Sequence, residues 1–221
     1  MFLAIFYGQL SASSSITHAY LAKVWIEQFE QKFLLGSLFP DIRYIADIPR
    51  EKTHERGITI DDIKNAETSF LAGCKLHSFI DGNRWRFVQD SGIYSWLEKK
   101  CQKDPLLSLA FPTHKYILLC MLEDEVIKTE FQAEFPYKEL TTHFDEVYEE
   151  ELIEGVTVEH VQDWHNFLKA YFDDDSTELD EIHHTLAPMF FARGLIKDLA
   201  KEETIIQYTK DVNDPPLKWE A

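Results

Sequence analysis

Ala72-Gly73-Cys74-Lys75-Leu76-His77-Ser78-Phe79-Ile80-Asp81 is the stretch whose reading decides the fold. Leu71, Leu76, Phe79 and Ile80 surround His77 with apolar side chains, which marks a buried helix. The pattern predicts a helix starting at Ile60 or Asp61 and reaching Trp85 or Val88. Residues four apart on a helix stand one above the other, so His77 and Asp81 share a face. An imidazole nitrogen and a carboxylate oxygen placed that way can converge on one borderline cation such as zinc. Gly73 lies four residues earlier on the same stripe, where a missing side chain leaves room for another chain segment.

Upstream, Ser13 to Ser15 and Thr17 offer N-cap oxygens to a helix over Ala19–Phe33, with His18 in its first turn. The apolar run Phe33-Leu34-Leu35-Gly36-Ser37-Leu38-Phe39 is broken by Pro40, which delivers Asp41 onto a turn. Residues 42–59 read as a polar connection that contains Pro49, His54 and Gly57. Downstream, apolar spacings of three and four predict helices over Ile93–Lys100, Thr113–Thr129, Leu140–Ile153, Val158–Tyr171 and Ile182–Leu199. Asp173-Asp174-Asp175-Ser176-Thr177 reads as a charged loop. The expected fold class is therefore all-α, with roughly seven to nine helices. One compact multi-helix domain spans residues 1–210, with the candidate site in 15–90 and an extended tail over 211–221 around Pro215-Pro216.

Composition narrows the partners. The net charge of −17, from 39 acidic and 22 basic residues, repels phosphate backbones and anionic membranes, so bulk nucleic-acid binding through a basic face is not expected. A phosphate-containing small molecule remains compatible, because a bound metal reverses the local field inside a cleft. No segment has the length and apolarity of a transmembrane helix. Cys74, Cys101 and Cys120 form no C-x-x-C pair and favour reduced thiols in the cytoplasm. Met1 to Leu10, followed by Ser11-Ala12-Ser13-Ser14-Ser15, resembles an apolar signal core and its cleavage zone but lacks a positive n-region. It reads as a buried N-terminal segment, with secretion kept open.

Three more potential ligands, His18, Asp41 and His54, precede the pair. A buried Asp81 is costly unless paired, hydrogen-bonded or bound to metal. Without a cation, Asp81 would cap or pair with Arg84 or Arg86, and Asp41 would cap the next turn; at this point both readings stand. Of the other histidines, His114 and His143 read as surface residues. His160 and His165 are five apart, about 140° round a helix, and do not readily share a ligand. Adjacent His183 and His184 point in different directions.

The joint order of Thr17-His18, Phe33 to Asp41, His54 and Gly73-x-x-x-His77-x-x-x-Asp81 resembles the bacterial zinc-dependent phospholipase C family, which shares its helical fold with fungal zinc nucleases. The resemblance covers roughly residues 15–90. It implies that Asp41, His54, His77 and Asp81 bind one zinc, and that Asp81 bridges to a second held by His18. The family's third ion needs a further His after the pair and a His-x-x-x-Glu. Gly82-Asn83-Arg84-Trp85-Arg86-Phe87 stands where the first would fall, and the chain has no His-x-x-x-Glu. One or two zinc ions are thus expected, with the third site absent.

The chemistry so implied is metal-dependent hydrolysis of a phosphate ester, a phosphodiester or a phospholipid headgroup. Asp41 would act as general base, and Arg84, three residues after Asp81, is the candidate to neutralise the departing charge, against the reading of a solvated or salt-bridged arginine. Tyr44 and Trp85 could line a pocket. The alternative is a family member that keeps metal for structure and serves as a non-catalytic binding protein. A phosphohydrolase built on an adjacent His-Asp pair lacks its defining feature, since that dipeptide does not occur.

Overall fold

α5, a 22-residue helix over Ser69–Asp90, carries the decisive stretch and organises the molecule. In the computed structural model, residues 15–24, 30–103, 105–127, 142–172 and 198–213 are described. Among them every regular element is helical and none is a strand. Before α5 come α1 (Ser15–Val24), α2 (Gln31–Leu38), a 3-10 turn at Phe39–Ile42, α3 (Arg43–Ala46), a second such turn at Arg50–Lys52, and α4 (Ile60–Lys64). After it come α6 (Ile93–Cys101), α7 (Pro105–Val126), a 3-10 turn at Phe144–Glu146, α8 (Tyr148–Glu151), α9 (Val158–Phe172) and α10 (Glu203–Asn213).

Helix α2 is buried along Phe33 to Leu38 and packs across the N-terminal half of α5. Two glycines set that crossing. A Cβ built on Gly73 would lie 2.0 Å from the Phe33 carbonyl oxygen, and one on Gly36 would lie 2.1 Å from that of Phe70. Each glycine thus faces the carbonyl three residues before the other, and any side chain would force the backbones apart. The room expected beside Gly73 is filled by α2.

The first core joins α1, α2, the Phe39–Ile42 turn and α9 to α5 through residues such as Ile16, Leu35, Phe39, Ile42, Phe70, Leu76, Ile80 and Trp164. A second gathers α6, α7 and α10 on the far end of α5, around Val88, Leu97, Leu119, Leu122 and Ile205. Between Ile80 and Val88, the Arg84 guanidinium is buried against Glu123 of α7, at 2.8 and 2.7 Å from the two carboxylate oxygens.

Several boundaries differ from the sequence pattern. The single helix expected from Ile60 to Val88 stops at Lys64 and restarts at Ser69. Asn65 donates its side-chain amide to the Asp61 carbonyl, and the Thr68 hydroxyl accepts the Leu71 N–H as a new N-cap. A capping box between Thr59 and Asp62 fixes the α4 start. Likewise, the expected Ala19–Phe33 helix is two elements, because Glu30 takes an extended backbone before α2. α7 starts earlier than Thr113, at Pro105, where proline lacks only an N–H that would have no partner. Within the helix expected over Leu140–Ile153, the described residues from 142 onward instead form a 3-10 turn closed by Val147 N–H on the Phe144 carbonyl, followed by four-residue α8. Residues 211–213, expected to open the extended tail, form the end of α10, where Gln207 donates to Asp211. Residues 1–14, the 173–177 loop, His183, His184 and 214–221 lie outside the described residues.

Substitution on α5 tests the crossing. Gly73→Ala should lower stability by about 1–3 kcal/mol or more through backbone displacement. Gly82→Ala, on the same helix with nothing within 4 Å of its would-be Cβ, should leave it unchanged or raise it by up to about 1 kcal/mol. Denaturant titration of the two variants gives the comparison.

Candidate metal centre

The close approach of α2 and α5 places the last turn of one helix beside the imidazole of the other. The Ser37 carbonyl lies 2.8 Å from His77 Nδ1. A carbonyl only accepts, so Nδ1 carries the proton and Nε2 of a neutral His77 presents its lone pair to the interior. Pro40, in the turn that follows α2, ends the regular ladder, and Asp41 arrives on the same side. α1 brings His18, whose ring stacks on His77 with centroids 3.7 Å apart. His54 follows the Arg50–Lys52 turn, with Nδ1 2.8 Å from Thr53 Oγ1.

All five residues named as metal ligands from the sequence converge. His54 Nε2 is 3.1 Å from His77 Nε2 and 3.5 Å from Asp81 Oδ2. His77 Nε2 is 3.8 Å from Asp41 Oδ1 and 3.7 Å from Asp81 Oδ2, and His18 Nε2 is 3.3 Å from Asp81 Oδ1. Two triads result, His18/His77/Asp81 and Asp41/His54/His77, in each of which one donor atom per residue lies within 4.8 Å of the others. All five are buried, His18 and His77 completely. The residues present can hold a metal ion.

Local electrostatics suit a cation. Burial drives the His77 pKa well below its ordinary value, and neighbouring His18 adds to this. Burial also lowers that of His54. Both imidazoles are thereby held in the neutral, ligating form. Asp41 is pushed up to about 8 by burial and then by the Asp81 carboxylate. For Asp81, burial raises the pKa, but the surrounding histidines outweigh it and hold the group well below the carboxylate range. The donor set also leaves buried atoms unsatisfied: both nitrogens of His18 and Oδ1 of Asp41 have no hydrogen-bond partner. Such atoms cost about 1–3 kcal/mol each, a cost that coordination would remove.

Arg84, expected beside Asp81, is not at the cluster. Its Nε and Nη2 engage Glu123, and Nη1 donates to the Tyr116 hydroxyl. It stands three residues after Asp81, but its side chain extends toward α7 and serves as a buried ion pair. Trp85 is exposed and lines no buried site. The cation that does reach the carboxylates is Arg50, whose Nη2 donates to Asp81 Oδ2 at 2.5 Å. Arg43 stands two residues after Asp41 and donates to the Tyr44 hydroxyl. Neither arginine was picked out from the sequence, although Asp41-x-Arg43 and Arg50-x-x-x-His54 place one within four residues of a ligand on each side.

Of the other described histidine side chains, His143 and His165 have partners of their own outside the cluster. His165 is buried against Glu151 at 2.6 Å and stacks on Phe144, while His143 pairs with Glu146. Cys74, Cys101 and Cys120 form no disulfide. Among the described residues, no helix is long and apolar enough to cross a membrane. The chain matches no family model, no curated protein and no solved structure.

The two buried ionic groups should respond differently to mutation. Arg84→Met leaves Glu123 buried without its partner and should cost about 3–5 kcal/mol, whereas Arg84→Met with Glu123→Leu should recover most of the loss. Metal stoichiometry in the folded double variant should equal that of the wild type, measured by elemental analysis beside thermal melts.

Proposed function

We propose that the protein is a zinc-dependent hydrolase of phosphate esters, with His18, Asp41, His54, His77 and Asp81 as its metal ligands. One observation carries this reading: five buried His and Asp side chains aim ligand atoms at one another while both nitrogens of His18 and Oδ1 of Asp41 have no hydrogen bond. Imidazole nitrogens with a few carboxylate oxygens form the donor set that zinc prefers. The ordered resemblance to the zinc-dependent phospholipase C family supports the same metal and the same class of substrate. The bound ion would supply Lewis acidity, acidifying a water and polarising a phosphoryl oxygen.

The chain's own residues provide the rest. Ser37 and Thr53 hold the His77 and His54 rings through their Nδ1 atoms, so the ligand set is oriented before substrate arrives. Asp41, with Oδ1 free of hydrogen bonds, takes the proton of the attacking water as general base. Asp81 remains anionic and is steadied by the Arg50 guanidinium.

A second reading, metal kept for structure alone, has one observation in its favour. His18 and His77 have no solvent exposure, and the other three ligands very little, as in closed structural sites. Zinc-loaded protein distinguishes the two when tested with p-nitrophenyl phosphate and bis(p-nitrophenyl) phosphate. The hydrolase reading expects stoichiometric zinc, release of p-nitrophenol that a chelator abolishes, and at least about a hundred-fold loss in His77→Ala. Zinc at about a thousand times its dissociation constant should add about 4 kcal/mol of stability under either reading. Bound zinc without turnover of either ester leaves the structural reading. A protein that retains no zinc, with melting unchanged by chelation, defeats both.

A further inference from the structure

Two arginines flank the ligand cluster in a chain that carries only 22 basic residues against 39 acidic ones. Both are half-buried, and both keep a buried N–H without a hydrogen-bond partner: Nε of Arg43 and Nη1 of Arg50. A guanidinium is a donor only, so these groups can be satisfied only by an acceptor, and in a planar fork an anion's oxygens suit them best. The Arg43 guanidinium carbon lies 3.9 Å above the Tyr44 ring, which fixes its plane, and its Nη2 donates to the Tyr44 hydroxyl. Arg50 is held by Asp81 through Nη2. Arg50 donates to Asp81 and Arg43 follows Asp41 by two residues, so each adjoins one carboxylate ligand, and the charges of both act on Asp41 and His54.

Charge selects the anion. In the forms that would ligate a metal, anionic carboxylates and neutral imidazoles, Asp41 and Asp81 together offset Arg43 and Arg50. One divalent ion leaves a surplus of two positive charges, and a second ion would enlarge it. A phosphomonoester near neutral pH carries about −1.5 to −2, with a second pKa about 6, whereas a diester carries a single negative charge. A terminal phosphate also offers three free oxygens to a guanidinium pair, where a diester offers two.

Building on the metal-hydrolase reading above, we propose that Arg43 and Arg50 form an anion subsite that selects substrates bearing a terminal, dianionic phosphate. Arg50 is then a specificity residue: it balances Asp81 in the metal-free protein, and its unsatisfied nitrogen meets a phosphate oxygen when substrate is bound. Arg43, oriented by Tyr44, meets another.

Calorimetry on the zinc-loaded full chain, with excess zinc removed, tests this with inorganic phosphate and dimethyl phosphate as probes. Inorganic phosphate should bind at least about ten-fold more tightly than dimethyl phosphate, as expected for added charge-assisted hydrogen bonds. Arg43→Gln and Arg50→Gln should each weaken phosphate binding by about ten-fold or more at unchanged zinc stoichiometry. Should Arg50→Gln fail to fold, because it leaves Asp81 uncompensated, Arg43→Gln and Arg50→Lys carry the test. The lysine variant keeps the charge but loses the fork, and should weaken phosphate binding measurably. Equal affinity for the two anions, or arginine variants within about two-fold of wild type, overturns the subsite and leaves the metal reading intact. A chain that takes up no zinc overturns both.

Discussion

The contact between α2 and α5 at Gly36 and Gly73 is the constraint on which the rest of the site depends. Backbones meet there because neither helix has a side chain to hold the other away. One residue beyond Gly36, the Ser37 carbonyl reaches His77 Nδ1, four residues beyond Gly73. That single hydrogen bond sets the tautomer and the ring plane of the central histidine. His18 stacks on that plane, and His54 meets it edge-on with centroids 4.8 Å apart. A helix crossing wider by one methyl group would loosen every one of these contacts. Packing and site are therefore one arrangement, with the same backbone segment serving both.

Burying this much polarity runs against the ordinary tendency of a core. Asp41 and Asp81 share a site where desolvation and mutual repulsion disfavour two negative charges, and Asp41 answers with a pKa of about 8. Arg50 offsets one charge by donating to Asp81, but it leaves both nitrogens of His18 and Oδ1 of Asp41 without a hydrogen-bond partner. A divalent cation addresses all of these demands together. It supplies positive charge to both carboxylates and an electron-pair acceptor to the imidazoles. Contrast the Arg84–Glu123 pair farther along α5, where a guanidinium and a carboxylate meet through several hydrogen bonds and call for nothing further. The two buried ionic groups on one helix thus differ in kind: one is closed, the other has open valences.

Much of this was legible in the sequence, and the limits have physical causes. His77 and Asp81 are four apart on a helix whose residues around His77 are apolar, so periodicity alone places them together. Pro40 announces that the chain turns at Asp41, and the small residue at Gly73 announces a close neighbour. Arg50 escaped notice because it lies in an irregular stretch, where no period ties a residue to a face, and its partner is 31 positions away. Arg84 is a candidate for the opposite reason, and the salt-bridged reading of it is the one the fold supplies. Helical spacing puts it near Asp81, but an arginine side chain is long, and the partner that claims it, Glu123, is 39 residues distant. The break between α4 and α5 turns on side-chain caps at Asn65 and Thr68, which interrupt a pattern whose apolar positions alone read as continuous. Periodicity reports faces; it does not report partners brought together by the fold.

Anomalous diffraction at the zinc edge, on crystals of the zinc-loaded protein, tests the central claim most directly. The account predicts a peak within bonding distance of His77 Nε2 and bounded by His18, Asp41, His54 and Asp81. A peak elsewhere, or none, with His54 and His77 still joined nitrogen to nitrogen and Arg50 still donating to Asp81, would contradict it.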